Sequence, residues 1–460
     1  MTEFSVRGAH VVVVGAARSG VGAARLLARR GARVTLTEQR REVATDVRQL
    51  TADGVELELG EHRPDTMARA DLIVLSPGVP PTLPALKLAR DRDVPVISEV
   101  ELASRWLRGR IVAVTGTKGK STTTVLLGQM LEADGRLALV GGNVGTALST
   151  QVEASTPEAI HVVEVSSFQL ELTTTFRPWI SVFLNLHADH LDRHDGPEAY
   201  AAAKARVFAN QEASDTLVFN ADDPEVVRLT RSCRASRVAY AVAEPLADGV
   251  VVDGDTIVRR TATGAEPLVP LSAVHLLGDH LLGDVVAATA VAHRVGVSAG
   301  AMTAAVGRFH GLEHALEPVG EVAGVRFVND SKATNVEAAR RALESCGHQL
   351  VVIMGGRFKG GDLGQLTPLI ASRAEAVVAL GEARDRILDA YGAAVRVVAV
   401  ECLEDAVRVA YGLASPGGTV LLAPACASLD MFENYAERGR LFKQAVGRLQ
   451  QDARVTDGTR

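Results

Sequence analysis

Seven residues, Gly116-Thr117-Lys118-Gly119-Lys120-Ser121-Thr122, combine conformational freedom, positive charge and a hydroxyl in the order that can hold a phosphate. They lie between an apolar strand pattern, IVAVTG, and a helical one, VLLGQMLEADG. In that setting backbone N–H groups and the helix N-terminus can cradle an anion, Lys120 can reach terminal phosphates and Ser121 can bind magnesium. Val114 stands where a strict GxxxxGK[ST] loop has its first glycine. A glycine-rich turn without a ligand is the bland alternative, but GKST between strand and helix points to a nucleotide.

Glu164 ends the β-branched run IHVVEV. Ligands of parallel sheets collect at the carboxyl ends of strands, so this carboxylate is placed to hold a metal near the phosphates. The next run, SVFLNL, leads into His187-Ala188-Asp189-His190-Leu191-Asp192 and crowds further acidic and imidazole groups onto one edge. Either cluster alone reads equally well as solvated loop or helix caps. Three strand ends on one face favour a Mg-nucleotide site. Lys204, in the helical pattern AYAAAKARVF, reads on composition alone as a surface lysine.

Two further regions carry candidate chemistry. Gly15-Ala16-Ala17-Arg18-Ser19-Gly20 has the outline of GxGxxG, but Ala17 replaces the glycine that lets a pyrophosphate approach the backbone. Glu38, at the end of the second strand, can accept hydrogen bonds from a ribose or base, so a nucleoside diphosphate fits as well as NAD. Near the C-terminus the loops NDSKATN (329–335), GGRFKGG (355–361) and ACASLD (425–430) each follow an apolar run. Three small polar loops imply a binding edge, where Lys332 and Lys359 supply charge for a carboxylate or phosphate.

The elements that must position these loops alternate strand and helix, which favours parallel α/β sheets. At 460 residues the chain is long enough for about three domains. Its 47% hydrophobic and 23% charged content argues against disorder, collagen or a coiled-coil rod. The net charge of −6, without a basic run, argues against nucleic acid as a partner. Four scattered cysteines outline neither a disulfide framework nor a zinc site, and the N-terminus lacks the apolar stretch of a signal peptide or membrane span. A cytoplasmic protein without membrane insertion is expected. Its fold class is α/β, in three consecutive domains: Rossmann-like over 1–107, P-loop ATPase-like over 108–311 and Rossmann-like over 312–460.

In order along the chain, GTKGKSTT, GGNVG, EVSSFQLE, DHLDRH, NDSKATN and APACASLDMFENYAERG resemble the Mur ligase family over essentially the whole length. The resemblance implies an ADP-forming amide synthesis in peptidoglycan precursor assembly, proceeding through an acyl phosphate. Its substrates are ATP, UDP-N-acetylmuramoyl-L-alanine and glutamate, with Mg2+ as cofactor; a monomer is expected. Residues 1–107 then bind the UDP substrate, 108–311 ATP and 312–460 the amino acid.

The same resemblance implies individual roles. Gly116, Thr117, Lys118, Gly119, Lys120, Ser121 and Thr122 hold ATP, with Ser121 and Glu164 on magnesium. His190 and Lys204 form a second metal site, Lys204 being carbamylated by carbon dioxide, which displaces the surface reading of that lysine. Lys120, Glu164, His190 and Lys204 are thus the catalytic set. Asn143 meets the muramoyl part of the substrate, while Ser19, Glu38, Ser76 and Gly78 form the uridine-diphosphate pocket. Glu38 stands where an aspartate is more usual. Lys359, Ser428, Leu429 and Tyr435 form the glutamate pocket, and Asp330 and Lys332 the nucleotide-facing edge of the third domain.

Two departures stand out. The family's His-Asn-x-x-Asn reads His280-Leu281-Leu282-Gly283-Asp284, and its His-Arg reads His314-Ala315. The missing arginine normally faces the terminal phosphate, and Arg357 or Lys118 is expected to replace its charge. The competing readings are a sister ligase adding L-glutamate or another amino acid, an NAD-dependent oxidoreductase, and a nucleotide-binding module that has lost its chemistry.

Overall fold

A computed structural model describes residues 4–43, 45–187, 193–276 and 280–457. Three sheets organise them. The first is entirely parallel, in the order β3-β2-β1-β4-β5, from β1 (His10–Val14), β2 (Arg33–Glu38), β3 (Glu56–Leu59), β4 (Leu72–Leu75) and β5 (Val96–Ser98). Successive side chains of a strand point to opposite faces. Val11 and Val13 therefore enter a core with Leu27 and Leu36, whereas Val12 and Val14 enter another with Met67 and Leu86. Burial on both faces, at about 1.5–3 kcal/mol per valine side chain, is what the unbroken run HVVVV encodes.

The second sheet has the order β14-β13-β12-β11-β10-β9-β6-β8-β7. Its strands are β6 (Arg110–Thr115), β7 (Ala138–Gly142), β8 (Ile160–Glu164), β9 (Ile180–Phe183), β10 (Thr216–Asn220), β11 (Ser236–Ala241), β12 (Gly249–Asp253), β13 (Thr256–Thr261) and β14 (Gly264–Pro270). β6 through β12 pair in parallel, while β12, β13 and β14 form an antiparallel extension.

The third sheet, β15-β16-β20-β17-β18-β19, uses β15 (Glu317–Val322), β16 (Val325–Asn329), β17 (Leu350–Gly355), β18 (Ala374–Leu380), β19 (Arg396–Ala399) and β20 (Thr419–Leu422). The apolar runs VRFV, LVVIM, EAVVAL, RVVA and TVLL form its parallel strands β16 to β20. The sequence pattern does not reveal β15, which joins β16 in an antiparallel hairpin through Ala323 and Gly324, both at positive φ. That two-residue geometry matches the twist of paired strands.

The chain divides into two compact units: Met1–Val274 with His280–Arg308 carries the first two sheets, and the other, built mainly on Phe309–Arg460, carries the third. Among the described residues no helix is long and apolar enough to cross a membrane, and the four cysteines are free.

The strand orders place the loops. A crevice opens where connections leave a strand toward opposite sides of the sheet. β1 lies between β2 and β4, and β6 between β8 and β9, so the loops after β1 and β6 each sit at such a crevice. In the third sheet β20 inserts between β16 and β17, which makes their three following loops neighbours.

Candidate active site

The loop after β6 leaves the strand through Gly116, at φ +153°, and reaches its helix, Lys120–Ala133, through Gly119, at φ +80°. Only glycine takes such values without strain. Asn185, just past β9, fixes the turn: its Oδ1 accepts from the N–H groups of Thr117 (3.0 Å) and Lys118 (2.9 Å). Lys120 Nζ donates to Thr117 O at 2.8 Å. Asn185 belongs to the run FLNL; a polar residue closing an apolar strand is the signal that could have found it.

One carboxylate gathers the neighbouring elements. Glu164, at the end of β8 and 2% exposed, accepts from Ser121 Oγ at 2.6 Å and from Asn143 Nδ2 at 2.7 Å. Lys204, on the helix Pro197–Ala205, is also 2% exposed; its Nζ donates to Gly116 O at 2.7 Å and lies 4.6 Å from the Tyr200 ring centre. The composition-based surface reading of Lys204 is therefore wrong. An alanine-rich pattern does not reveal that this lysine lies on the packed side of its helix. Tyr200 Oη lies 3.2 Å from Thr117 Oγ1, which ties the same helix to the loop again. His190 lies outside the described residues.

Asp284 stands against the phosphate loop from another side. A Cβ on Gly119 would run into Asp284 Oδ1. Burial pushes the Asp284 carboxyl up to about 7, despite Lys120 nearby and a hydrogen bond with Thr122. Its Oδ2 has no hydrogen-bond partner among the described residues. Thus the position where the family pattern has asparagine still faces the loop, with a carboxyl in place of an amide.

Among the described residues no group of three or more His, Cys, Asp or Glu forms a metal cage. Magnesium does not require one when phosphates supply ligands, because one or two protein oxygens suffice. The Ser121 hydroxyl and Glu164 carboxylate, in contact beside the loop, fit that hard-oxygen requirement.

The loop after β1 borders a cavity of about 420 Å3 lined by Ser19, Glu38, Ser76, Gly78 and Asn143, among others. Glu38 Oε2 accepts from Ala16 N–H at 2.9 Å, and its Oε1 accepts from Arg40 N–H (3.1 Å) and Nε (3.2 Å). Burial alone would raise this carboxyl, but those hydrogen bonds and the Arg40 charge hold it below its ordinary value. Ser76 Oγ donates to Gly15 O at 3.0 Å. Asn143 both borders this cavity and touches Glu164, so a ligand seated there lies next to the Glu164 carboxylate. His62, also in the lining, was not singled out from the sequence.

In the other unit the expected edge assembles at the ends of β16, β17 and β20. Asp330 is buried, accepts from Leu316 N–H at 3.1 Å and is raised by burial to about 7. Lys332 and Lys359 are exposed, Ser428 is buried, and Leu429 (60% exposed) and Tyr435 present apolar surface. Arg357 N–H donates to Ala427 O at 2.8 Å and Ala427 N–H returns a bond at 2.9 Å, joining two of the loops. The Arg357 guanidinium is engaged by Glu382 at 2.8 Å. Sequence reasoning passed over Arg438, which is buried behind these loops.

Three family models cover most of the chain. That for the Mur ligase middle domain matches residues 114–292, that for the Mur ligase MurD-like N-terminal domain 9–98, and that for the Mur ligase glutamate ligase domain 316–426. The UDP-N-acetylmuramoylalanine–D-glutamate ligase of Acidobacterium capsulatum is 44% identical over 447 residues, spanning 96% of this chain and 97% of its own. The protein of the same name from Desulfosudis oleivorans is 42% identical over 454 residues, spanning 98% and 99%. Among solved structures, the UDP-N-acetylmuramate-alanine ligase of Thermotoga maritima superposes with a TM-score of 0.61 at 19% identity, covering 96% of this chain and 100% of that one. The pseudomurein peptide ligase type C of Methanothermus fervidus gives 0.56 at 17%, with the same coverage. At such identities these two bear on the fold alone.

Proposed function

The chain belongs to the Mur ligase family, and from that premise we propose that it joins D-glutamate to UDP-N-acetylmuramoyl-L-alanine, forming ADP and phosphate in cytoplasmic peptidoglycan precursor synthesis. The relatives named for D-glutamate favour this over a sister ligase for another amino acid. The observation that carries the reading is Asn143, which links the cavity beside Glu38 to the carboxylate beside the phosphate loop. A long substrate held by its nucleotide end in that cavity can present its far end to the γ-phosphate.

A carboxylate is a poor acyl donor because its leaving group would be oxide. The L-alanyl carboxylate therefore attacks the γ-phosphorus of ATP, the bond to ADP breaks, and an acyl phosphate forms. The glutamate amine attacks the acyl carbon, loses its proton, and the tetrahedral intermediate expels phosphate. Two anions must meet for the first step, and the barrier falls where fixed positive charge and N–H dipoles offset their repulsion. In this account Lys120 and the N–H groups of residues 116–122 hold the triphosphate. Ser121 and Glu164 would hold Mg2+, which supplies charge neutralisation at the phosphates.

Lys204 has a second part in the proposal. Its ammonium would lose one proton, and the free amine would add to carbon dioxide and lose a second, so that a cation becomes a carbamate anion; that anion and His190 would hold a second metal. Burial and the anchor on Gly116 O place this side chain beside the loop. The family resemblance gives Lys332 and Asp330 a part in nucleotide binding and Lys359, Ser428, Leu429 and Tyr435 the reception of glutamate. Lys118 or Arg357 would supply the charge lost at Ala315, Arg357 on giving up its exposed ion pair with Glu382. The enzyme acts as a monomer.

The test is phosphate release with ATP and UDP-N-acetylmuramoyl-L-alanine against D-glutamate, L-glutamate, L-lysine and diaminopimelate. D-Glutamate alone should support rapid release; equal rates across the panel, or none, would reject the assignment.

A further inference from the structure

We propose that Arg438 is a positioning residue for the amino-acid substrate, locking three strand-end loops into one edge and placing a buried positive charge behind it. The inference rests on the glutamate-ligase reading above. Arg438 sits in the first turn of the helix Tyr435–Asp457 and is 1% exposed. Its Nε donates to Ser331 Oγ at 3.0 Å and its Nη2 to Ser331 O at 2.9 Å. Its Nη1 donates to Gly355 O, and both terminal nitrogens donate to Cys426 O, each at 3.3 Å. Those acceptors lie at the last residue of β17 and in the loops after β16 and β20. One guanidinium thus fixes the backbones that carry Lys332, Lys359 and Ser428.

A guanidinium offers five N–H donors in a rigid fork, and here five hydrogen bonds are made. None of those partners is a carboxylate. Burial lowers its pKa only to about 10, so the group stays charged at neutral pH. A buried cation is costly unless hydrogen-bonded and offset by opposite charge; here the five hydrogen bonds and the nearby Asp430 charge offset part of that cost, yet a neutral side chain of similar volume would fill the space at less cost. Behind an edge that receives an amino acid with two carboxylates, the charge has a use: its field favours the anion. Space around it is tight, since a Cβ on Gly356 would lie 3.3 Å from Arg438 Nη1. Lysine keeps the charge but cannot reproduce the fork.

The experiment titrates D-glutamate at saturating ATP and UDP-N-acetylmuramoyl-L-alanine for the wild type, Arg438→Lys, Arg438→Gln and Ser331→Ala, with a thermal melt of each. We expect KM for D-glutamate to rise about tenfold in Arg438→Lys and further in Arg438→Gln, while KM for the UDP substrate stays within about twofold. Ser331→Ala, which removes one acceptor, should raise KM for D-glutamate about threefold. A purely structural role would lower kcat or Tm and leave KM for D-glutamate unchanged; that result in a folded Arg438 variant overturns the inference. Should neither Arg438 variant fold, an unchanged KM in Ser331→Ala overturns it. A wild type without D-glutamate-dependent release would instead overturn the ligase reading.

Discussion

Ser121 Oγ donates a 2.6 Å hydrogen bond to Glu164 Oε2, so the helix of the phosphate loop and the end of the adjacent strand share one carboxylate. The other oxygen of that carboxylate accepts from Asn143 at 2.7 Å. Glu164→Gln keeps the size but lowers the charge at the proposed Mg2+ position. We expect phosphate release to fall by about two orders of magnitude and the Mg2+ concentration for half-maximal rate to rise. A Mg2+ titration of both proteins checks this, and a variant within threefold of wild type, as a rough bound, would remove Glu164 from the metal.

Lys120 tests the phosphate loop. Its ammonium bonds to Thr117 O, within the loop. Lys120→Ala should abolish ADP formation and retain the wild-type circular dichroism spectrum. Substantial turnover by the variant would count against the phosphate role.

Lys204→Ala tests the carbamate. Removing the side chain should leave little activity, and short carboxylic acids such as acetate should restore part of it by supplying the missing anion. Full activity without them would contradict the proposal. Mass spectrometry under mild conditions, with and without 13C-labelled carbon dioxide, gives an independent readout on the wild type.

Asp284 yields a prediction for stability. Its carboxyl rises from an ordinary 3.8 to about 7 on folding, chiefly through burial. Between those pH values the folded chain keeps a proton that the unfolded chain releases, so stability falls as pH climbs toward 7 and levels off above it. Asp284→Asn should stabilise ligand-free protein at pH 8, by at most about 4 kcal/mol at about 1.4 kcal/mol per pH unit, which is read as a higher Tm. The gain should vanish near pH 4. An equal Tm change at both pH values would contradict the buried carboxyl.

The legible parts of the molecule were those written locally. HVVVV and IVAVTG announce strands because parallel sheets bury both faces, and each ends in a polar loop whose place the sheet order then sets. Strand β15 escaped notice because EPVGEV contains proline and glycine and gains its identity from pairing with β16. Side-chain burial was harder still. Lys204, Asp284 and Arg438 carry ionisable groups that composition assigns to solvent, yet all three are buried by contacts with residues distant along the chain. The cavity and Glu38 followed from a strand end, whereas the tie from Asn143 to Glu164 could be seen only in three dimensions.

The claim on which the rest depends is that the L-alanyl carboxylate, and no water molecule, takes the γ-phosphoryl group. The direct measurement uses UDP-N-acetylmuramoyl-L-alanine with 18O in both carboxylate oxygens, ATP and D-glutamate, followed by mass analysis of the phosphate released. One 18O atom in each phosphate is the expected result, because the oxygen that attacks phosphorus leaves with it when the amide forms. Unlabelled phosphate, with the label retained in the carboxylate, would show simple hydrolysis of ATP and contradict the account.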